Sequence, residues 1–442
     1  MTDHAAKVAR LAGLLAGGGG PVRLAKATSN LFRDREAGRR RRLDVRDFGE
    51  VLRVDPANLR IDSEGMVPYG RLTELTLPTG VMPAVVPQLK SITLGGAVAG
   101  VAIESSSFRY GLVHETVEEL EVLTGTGEVL VCRRDNEHRD LFLGFPNSYG
   151  TLGYALRVVA KAVPAKRYVK LEHRRYDDSR LYFIDLEAEC AGSADFLDGV
   201  VFGADELVLT RGTFVDEAPY VSDYTFENIY YRSLREREDD YLTTRDYLWR
   251  WDTDWFWCSK NVGAQNPLLR KFAFGRERLN SVTYAKIMRL NSRLGLTRAL
   301  SRLRGRHTES VIQDVDIPID RAAEFLDFFR RDIGILPVWI CPIRVFAGDF
   351  TLYPMKPGVL YVNFGFWDVV SRRQPFDAGF HNRLIEREVK RLGGIKSLYS
   401  ESFYDKYEFA ALFGGERYKD LKARYDPEGA FSTLYEKCVL KR

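Results

Sequence analysis

The chain has 442 residues, of which 45% are hydrophobic and 29% charged, so it can bury the cores of two or three domains or of one large two-part enzyme. Its 65 Lys and Arg nearly balance 61 Asp and Glu, and the net charge of +4 does not by itself indicate a nucleic-acid-binding protein. Five scattered cysteines without a CxxC pair indicate neither a disulfide framework nor a metal site, and they fit a reducing cytoplasm.

The first twenty residues predict an amphipathic helix that ends in glycines. Asp3 lies near the start and no basic region precedes the apolar patch, so we do not interpret this segment as a signal peptide. No apolar run reaches about 18 residues, and the sequence therefore predicts no transmembrane helix. We expect a cytoplasmic protein, with a peripheral position at the inner face of the membrane as an open alternative.

The stretch from residue 22 to 165 predicts a β-rich part with short turns. Its predicted strands are 51–54, 59–61, one on each side of the Gly-Thr-Gly turn at 125–127, and 154–164. A helix is predicted at the start of 69–80, where Pro78 and Gly80 stop it. The strands are short and the turns close, as in a domain built around one sheet.

After about residue 168 aromatic residues become dense and a second α+β domain with an antiparallel sheet is predicted. We expect helical segments at 233–257 and 320–334, and strands at 310–318, 337–346 and 358–367. The chain ends in a predicted helix, a turn at Asp426-Pro427 and a short tail.

The segment 91–115, SITLGGAVAGVAIESSSFRYGLVHE, places small residues beside a polar cluster. Gly95, Gly96, Ala97 and Gly100 leave backbone N–H groups uncovered, and such a loop can hold a pyrophosphate or lie against a planar ring. It is neither a GxGxxG fingerprint nor a P-loop. Tight packing of small residues between two layers explains the same composition equally well.

Two further segments are weaker signals of ligand contact. Gly150, Thr151 and Gly153 come just before an apolar strand. Thr28, Ser29 and Asn30 follow a short strand and can donate hydrogen bonds to a phosphate. Ordinary turns would also account for both segments.

Taken in order, these loops and the terminal Tyr-Asp-Pro resemble the FAD-binding oxidoreductases of the vanillyl-alcohol oxidase type, which carry a PCMH-type FAD domain. Within that superfamily the chain is more similar to the delta24-sterol reductases, or Diminuto-like proteins, from about residue 44 to the end. The resemblance is carried by Gly95-Gly96, GVAIESSSFRYGL (100–112), GTLGYALRVVAKAVPAKRYVKL (150–171), VWICPIRV (338–345) and LYEKCV (434–439).

The resemblance implies an α+β fold in which a two-part FAD-binding domain, 1–167 with 419–442, is joined to a cap domain, 168–418, that has an antiparallel sheet. It implies FAD as cofactor and NADPH or NADH as electron donor. The first loop has neither the His nor the Cys that attaches flavin in some relatives, and His114 lies past the second loop, so we expect non-covalent FAD. The implied cofactor-binding residues are Thr28, Ser29, Asn30, Gly95, Gly96, Ala97, Gly100, Ser105, Ser106, Ser107, Tyr110, Gly111, Gly150, Thr151 and Gly153.

For activity, the resemblance implies reduction of an isolated C=C bond in a lipid, such as a sterol Δ24 bond or a methylene branch on a fatty acyl chain. Bacterial relatives are implicated in making methyl-branched fatty acids. Such a bond is not polarised, so protonation to a tertiary carbocation must precede hydride transfer from flavin N5. Two alternatives stay open: an FAD-dependent oxidase or dehydrogenase of an alcohol, and a non-catalytic flavin-binding partner subunit of a lipid methyltransferase.

This chemistry needs an acid within hydrogen-bonding reach of the alkene. Glu104 is the first candidate, because burial beside a flavin would raise its pKa, and Glu104→Gln is then expected to keep FAD but lose alkene reduction. Binding backbone amides or pairing with an arginine is its alternative role. Tyr361, Glu401 and Tyr404 are candidates from the cap, where ordinary packing is the alternative.

The stretch 284–307 interleaves seven Lys and Arg residues with apolar residues. This basic amphipathic pattern predicts contact with an anionic membrane surface, from which a lipid would enter the cap. A surface helix packed on the cap is the alternative, and no nucleic-acid partner is expected because the charge is local.

Overall fold

The chain is built around two sheets, in a computed structural model that describes residues 3–17, 20–26, 32–33, 40–294 and 305–442. The strands of the first part are β1 (Val22–Ala25), β2 (Arg41–Asp44), β3 (Val51–Asp55), β4 (Arg60–Glu64), β5 (Val81–Pro83), β6 (Val117–Leu123), β7 (Val129–Cys132) and β8 (Tyr154–Pro164). Its α-helices are Asp3–Ala16, Tyr69–Thr76, Leu94–Ala99, Ser107–Tyr110 and Arg139–Gly144.

The first sheet has the order β3-β4-β8-β6-β7, with β5 on the far end of β8 and all pairings antiparallel. β1 and β2 form a separate parallel pair. The predicted strands around residues 51–61, 117–132 and 154–164 are confirmed, because alternating apolar residues and glycine turns specify short antiparallel strands locally.

The second sheet is antiparallel, with the order β12-β9-β11-β10-β14-β15-β13-β16. Its strands are β9 (Tyr168–Tyr176), β10 (Phe196–Val201), β11 (Leu207–Val215), β12 (Asp239–Thr243), β13 (His307–Pro318), β14 (Val338–Arg344), β15 (Leu360–Arg372) and β16 (Ile395–Lys396). The longer α-helices of this part are Ser179–Cys190, Ser281–Leu294, Ala322–Phe328 and Phe380–Arg391, with short ones at Tyr230–Ser233, Thr244–Leu248 and Gly275–Arg278. The predicted α+β fold with an antiparallel cap sheet is confirmed.

The two faces of the second sheet have different partners. Residues such as Val311, Val315 and Ile317 of β13 pack in one apolar cluster with the helices Ser179–Cys190, Ala322–Phe328 and Phe380–Arg391. Because successive side chains of a strand point to opposite faces, the residues between them, including Asp314, point to the other face. That face shares a core with the first part of the chain.

The predicted helix over 233–257 is wrong. Within it the chain forms strand β12 along the edge strand β9, then the short helix Thr244–Leu248, and then a series of turns. Asp240 and Leu242 are both buried in β12, which is the alternation of a strand. Pairing with β9 therefore outweighs the helix propensity of the charged residues.

The end of the chain returns to the first part through the helices Lys406–Leu412, Gly415–Tyr425 and Leu434–Cys438. Lys422 Nζ donates a hydrogen bond to the Thr151 carbonyl at 2.8 Å, and the Gly125 N–H donates to the Tyr425 carbonyl at 2.8 Å. Within the described ranges, no helix has both the length and the apolar character needed to cross a membrane.

Candidate functional site

A cavity of about 520 Å³ lies between the two parts of the chain, a size typical of small-molecule and cofactor sites. One wall comes from the helix Leu94–Ala99, the loop before β8 and β8 itself, and the opposite wall comes from the second sheet. The small residues of the first wall are Gly95, Gly96, Ala97, Ala99, Gly100, Gly150, Gly153 and Ala155.

Close packing within the protein accounts for the paired glycines of this wall. A Cβ on Gly95 would lie 2.9 Å from the Gly65 carbonyl oxygen and 3.3 Å from the Ala155 Cβ. A Cβ on Gly96 would lie 2.8 Å from Thr93 Oγ1, which caps the helix Leu94–Ala99. Tight packing between layers thus explains why Gly95 is small, and the bare backbone of both glycines forms part of the cavity surface.

The loop before β8 needs glycine for a second reason. Gly150 has φ +76° and Gly153 has φ +151°, conformations that side chains rarely adopt. Both line the cavity, whereas Thr151 between them is buried and donates its hydroxyl to the Ser148 carbonyl at 2.8 Å. The two glycines therefore turn the backbone toward the cavity.

Part of the cavity lining is cationic. β1 adjoins the C-terminal segment there, with the Val22 N–H donating to the Ala430 carbonyl at 2.8 Å. Such a concentration of positive charge suits a phosphate or pyrophosphate group. The cations that line the cavity are Arg23, Lys26, Arg40, Lys437, Lys441 and Arg442. No local sequence pattern identifies these cations, because they come from the two ends of the chain.

Another part of the lining is aromatic. Phe256 stacks on Trp367 with ring centroids 4.2 Å apart, and Phe32 lies 5.1 Å from Trp255. Trp367 Nε1 donates to the Tyr399 hydroxyl at 2.9 Å. Together with Trp339 these rings enclose an apolar space that can accept a hydrocarbon chain or ring.

Asp314 is the only acidic residue among the described residues that line the cavity. Burial, with a smaller contribution from Asp316, raises the pKa of its carboxyl to about 8, and the Tyr399 hydroxyl partly offsets this. Sequence reasoning named the strand that carries Asp314 but did not single out the residue. Its position opposite the glycine wall depends on the pairing of distant strands.

Glu104, the first predicted acid, lies behind the wall formed by its neighbour Ile103 and is not among the described cavity-lining residues. Its Oε1 accepts a hydrogen bond from Arg250 Nη2 at 3.0 Å, and Arg250 also contacts Asp198 at 2.7 Å. Burial raises the pKa of Glu104 to about 7, although the charge of Arg250 opposes this. Arginine pairing, the alternative role considered for Glu104, is what the structure shows.

The other predicted catalytic residues also lie outside the described cavity lining. The Tyr361 hydroxyl accepts from the Lys356 N–H at 3.2 Å, and the Tyr404 ring packs 5.8 Å from that of Phe413. Glu401 pairs with Lys441, whose side chain does reach the cavity. A direct catalytic role for these residues stays a prediction without geometric support.

The predicted cofactor-binding residues divide into three sets. Gly95, Gly96, Ala97, Gly100, Gly150 and Gly153 line the cavity. Ser105, Ser106, Ser107, Tyr110, Gly111 and Thr151 do not line it within the described chain, and Ser105 instead shares a 2.9 Å hydrogen bond with the Tyr247 hydroxyl. Thr28, Ser29 and Asn30 lie outside the described residues.

These residues fit FAD by the chemistry that they present. The lining cations suit its pyrophosphate, the bare backbone of the glycine wall suits close approach, and the lining aromatic rings suit the flavin ring and a lipid. Among the described residues, no group of three or more His, Cys, Asp or Glu is arranged to hold a metal ion.

Comparison with known proteins agrees with this assignment. A family model for an FAD binding domain matches residues 2–133. The chain is 29% identical to the Delta(24)-sterol reductase of Homo sapiens over 88% of this chain and 76% of that protein. It is 27% identical to the Delta(24)-sterol reductase of Arabidopsis thaliana over 91% of this chain and 77% of that protein. It is also 29% identical to cytokinin dehydrogenase 7 of Oryza sativa subsp. japonica, over 32% of this chain.

The fold, the cavity and these similarities define an FAD-dependent oxidoreductase with a PCMH-type FAD-binding domain. Within that class the chain fits the Δ24-sterol-reductase-like subgroup, to which it is similar over most of its length.

Proposed function

We propose that this protein reduces an isolated C=C bond in a lipid, with FAD recharged by NADPH or NADH. The substrate is a methylene-branched fatty acyl chain, which becomes methyl-branched, or a sterol side chain with a Δ24 bond. The observation that carries this proposal is the aromatic lining of the cavity, which accompanies the glycine wall and one carboxyl group, that of Asp314. The similarity of the chain to Delta(24)-sterol reductases supports the same activity.

The aromatic side chains that line the cavity suit a reaction that passes through a carbocation. Protonation of the less substituted alkene carbon gives a tertiary carbocation in either substrate. The faces of Trp255, Phe256 and Trp367 carry negative quadrupole charge and stabilise a nearby cation. When bound and reduced, FAD supplies the hydride that completes the reduction.

The remaining lining residues bind and orient. The lining cations would hold the cofactor phosphates, and the bare backbone of Gly95 and Gly96 would leave room for the cofactor beside the helix Leu94–Ala99. The aromatic residues exclude water from the carbocation, which water would otherwise trap as an alcohol.

Spectra of the purified protein under anaerobic conditions test this function. After addition of FAD, we expect a bound flavin spectrum that NADPH or NADH bleaches and that a methylene-branched fatty acyl lipid or a Δ24 sterol restores. If only an alcohol bleaches the flavin, the protein is an oxidase or dehydrogenase. If neither a nicotinamide nor an alcohol reduces bound FAD, the protein is better explained as a non-catalytic flavin-binding partner subunit of a lipid methyltransferase. If the protein does not bind FAD at all, all three of these functions are overturned.

We also propose that the protein meets its lipid at the inner face of an anionic membrane. The helix Ser281–Leu294 begins at Ser281, which donates to Asp252 at 2.6 Å, and Asp252 also accepts the N–H of Lys90, next to the cavity-lining Leu89. Its outer face is apolar as well as its inner one. Large apolar side chains exposed here and in the preceding helical segment are Leu268, Leu269, Phe272, Val282, Ile287 and Leu290.

Positive charge accompanies this apolar surface. Lys271, Arg278 and Lys286 are exposed, and none of them has an ion-pair partner among the described residues, while Glu277 is the only acid within 265–294. The remainder of the predicted basic stretch, 295–304, lies outside the described residues. Apolar anchors with unpaired cations suit the boundary of an anionic bilayer.

Vesicle co-sedimentation tests the membrane proposal. We expect the protein to bind vesicles of phosphatidylcholine with phosphatidylglycerol more tightly than vesicles of phosphatidylcholine alone, and less tightly as salt increases. Phe272→Asp removes a 78% exposed ring and should weaken binding at least about tenfold. Tyr407→Asp changes a ring that is 87% exposed elsewhere and should not. Equal binding by both variants would contradict the proposal.

A further inference from the structure

Among the described residues, Asp314 is the one acidic side chain that lines the cavity of the proposed reduction. It lies on β13, the second-to-last strand of the second sheet, and it lines the cavity near Tyr399. Its backbone is held on both sides, because it is paired with Gly365 of β15 and its carbonyl accepts the Ser397 N–H at 3.0 Å. The sheet therefore fixes the backbone that carries this carboxyl group.

The surroundings of this carboxyl favour its neutral form. Oδ1 is buried without a hydrogen-bond donor among the described residues, and it lies so close to Gly365 that a Cβ there would approach it to 2.7 Å. A carboxylate oxygen without a donor or a cation is costly to bury, so the proton stays on. No lysine or arginine forms an ion pair with Asp314 within the described chain.

Asp316, two residues along the same face, has the opposite environment. Its oxygens accept from the Tyr353 hydroxyl at 2.6 Å and from Asn363 Nδ2 at 2.7 Å. Burial raises the pKa of Asp316 to about 6, below the value of about 8 at Asp314. Two neighbouring carboxyl groups thus titrate apart, so that near pH 7 one is ionised while the other keeps its proton.

We propose that Asp314 is the catalytic acid that protonates the alkene in this cavity, with Asp316 as a positioning residue that keeps that proton in place. This inference rests on the proposed reduction of an isolated C=C bond. It places the acid opposite the glycine wall and not at Glu104, which faces Arg250 behind that wall.

The proposed reduction adds one proton from Asp314 and one hydride from reduced FAD to the alkene. The O–H bond of Asp314 breaks, and the π electron pair of the alkene forms a C–H bond at its less substituted carbon. The more substituted carbon becomes a tertiary cation, which accepts a hydride, and hence two electrons, from reduced FAD that a nicotinamide has recharged. Asp314 is left as a carboxylate and takes its next proton from water.

The pH dependence follows from the groups that face Asp314. These are Asp316 on its own strand and the hydroxyls of Tyr399, Tyr353 and Tyr149 from the segments packed against it. The acid is active only when protonated, so the rate of alkene reduction should be constant below about pH 7. It should fall with rising pH through the pKa of about 8.

Half-reaction kinetics of Asp314→Asn in the full-length protein with FAD test the assignment. We expect unchanged FAD binding and unchanged bleaching by the nicotinamide, but reoxidation by the alkene slowed by about 10²–10⁴-fold, the usual contribution of a general acid. Asp320→Asn changes an exposed aspartate six residues away and should leave both half-reactions at wild-type rates. If the wild type shows no alkene-dependent reoxidation, the proposed function fails and not this assignment alone.

Infrared spectroscopy gives a readout without turnover. The protein without FAD should show a carboxylic-acid C=O band that disappears with a midpoint near pH 8 and is missing in Asp314→Asn. Asp316→Asn removes a neighbouring negative charge, and should move this midpoint and the fall of the rate to lower pH. Wild-type reoxidation by Asp314→Asn, combined with loss in Glu104→Gln, would overturn the proposal in favour of Glu104.

Discussion

Replacement of Arg250 by leucine is expected to lower the free energy of unfolding by about 3–5 kcal/mol, the usual cost of removing one partner of a buried ion pair. Arg250 is 2% exposed, and its guanidinium bonds both Glu104 and Asp198, which are themselves 2% and 1% exposed. Without the guanidinium two buried carboxyl groups face each other with no positive charge between them. Urea unfolding at neutral pH measures the loss.

A triple variant separates the effect of the stranded charges on the free energy of unfolding from the effect of lost packing. Adding Glu104→Gln and Asp198→Asn to Arg250→Leu removes the stranded charges and should recover a large part of the stability. Arg235→Leu is the matched control, because its ion pair with Glu206 is exposed and should contribute less than about 1 kcal/mol. Equal losses in Arg250→Leu and the triple variant would show that packing, not charge, determines the effect.

Substitution of Gly65 by alanine should lower the free energy of unfolding by about 3 kcal/mol, which is the upper part of the usual range for overpacking. A Cβ there would lie 2.0 Å from the Ala155 carbonyl oxygen, which belongs to the central strand β8. Neither atom is at the end of a flexible side chain, so β4 and β8 would have to separate. Because the helix Leu94–Ala99 packs on Gly65 through Gly95, the glycine wall of the cavity would shift as well.

Two measurements check this expectation, the thermal unfolding midpoint and the affinity for FAD, and both should fall in Gly65→Ala. Gly49→Ala is the matched control, since its Cβ would meet nothing nearer than the Arg46 carbonyl at 3.9 Å, and it should change neither value. If Gly65→Ala were as stable as Gly49→Ala and bound FAD equally well, close packing would not be what shapes the glycine wall.

Local sequence patterns predicted most strands of the first sheet, the cap strands β13, β14 and β15, and the small-residue loops at 91–115 and 145–159. These features depend on neighbours within a few residues, such as alternating apolar side chains or a glycine at a turn, and so can be recognised without the fold. The same reasoning failed at 233–257, where pairing with β9 decided the conformation. It also offered packing and ligand contact as alternatives for the glycines, and the structure shows the packing directly.

The placement of the charged residues was decided by the tertiary structure alone. Glu104 follows the glycine loop by a few residues, yet its environment is set by Arg250, 146 residues further along the chain. In the sequence, Asp314 is only one residue of a predicted strand. Its place in the cavity lining depends on the pairing of β13 with β15 and on the position of the glycine wall. Local pattern was enough to indicate the family resemblance, the fold class and the position of the glycine loop. Which carboxyl group is paired and which keeps a proton depends on burial and on charges from distant segments, which only the folded chain supplies.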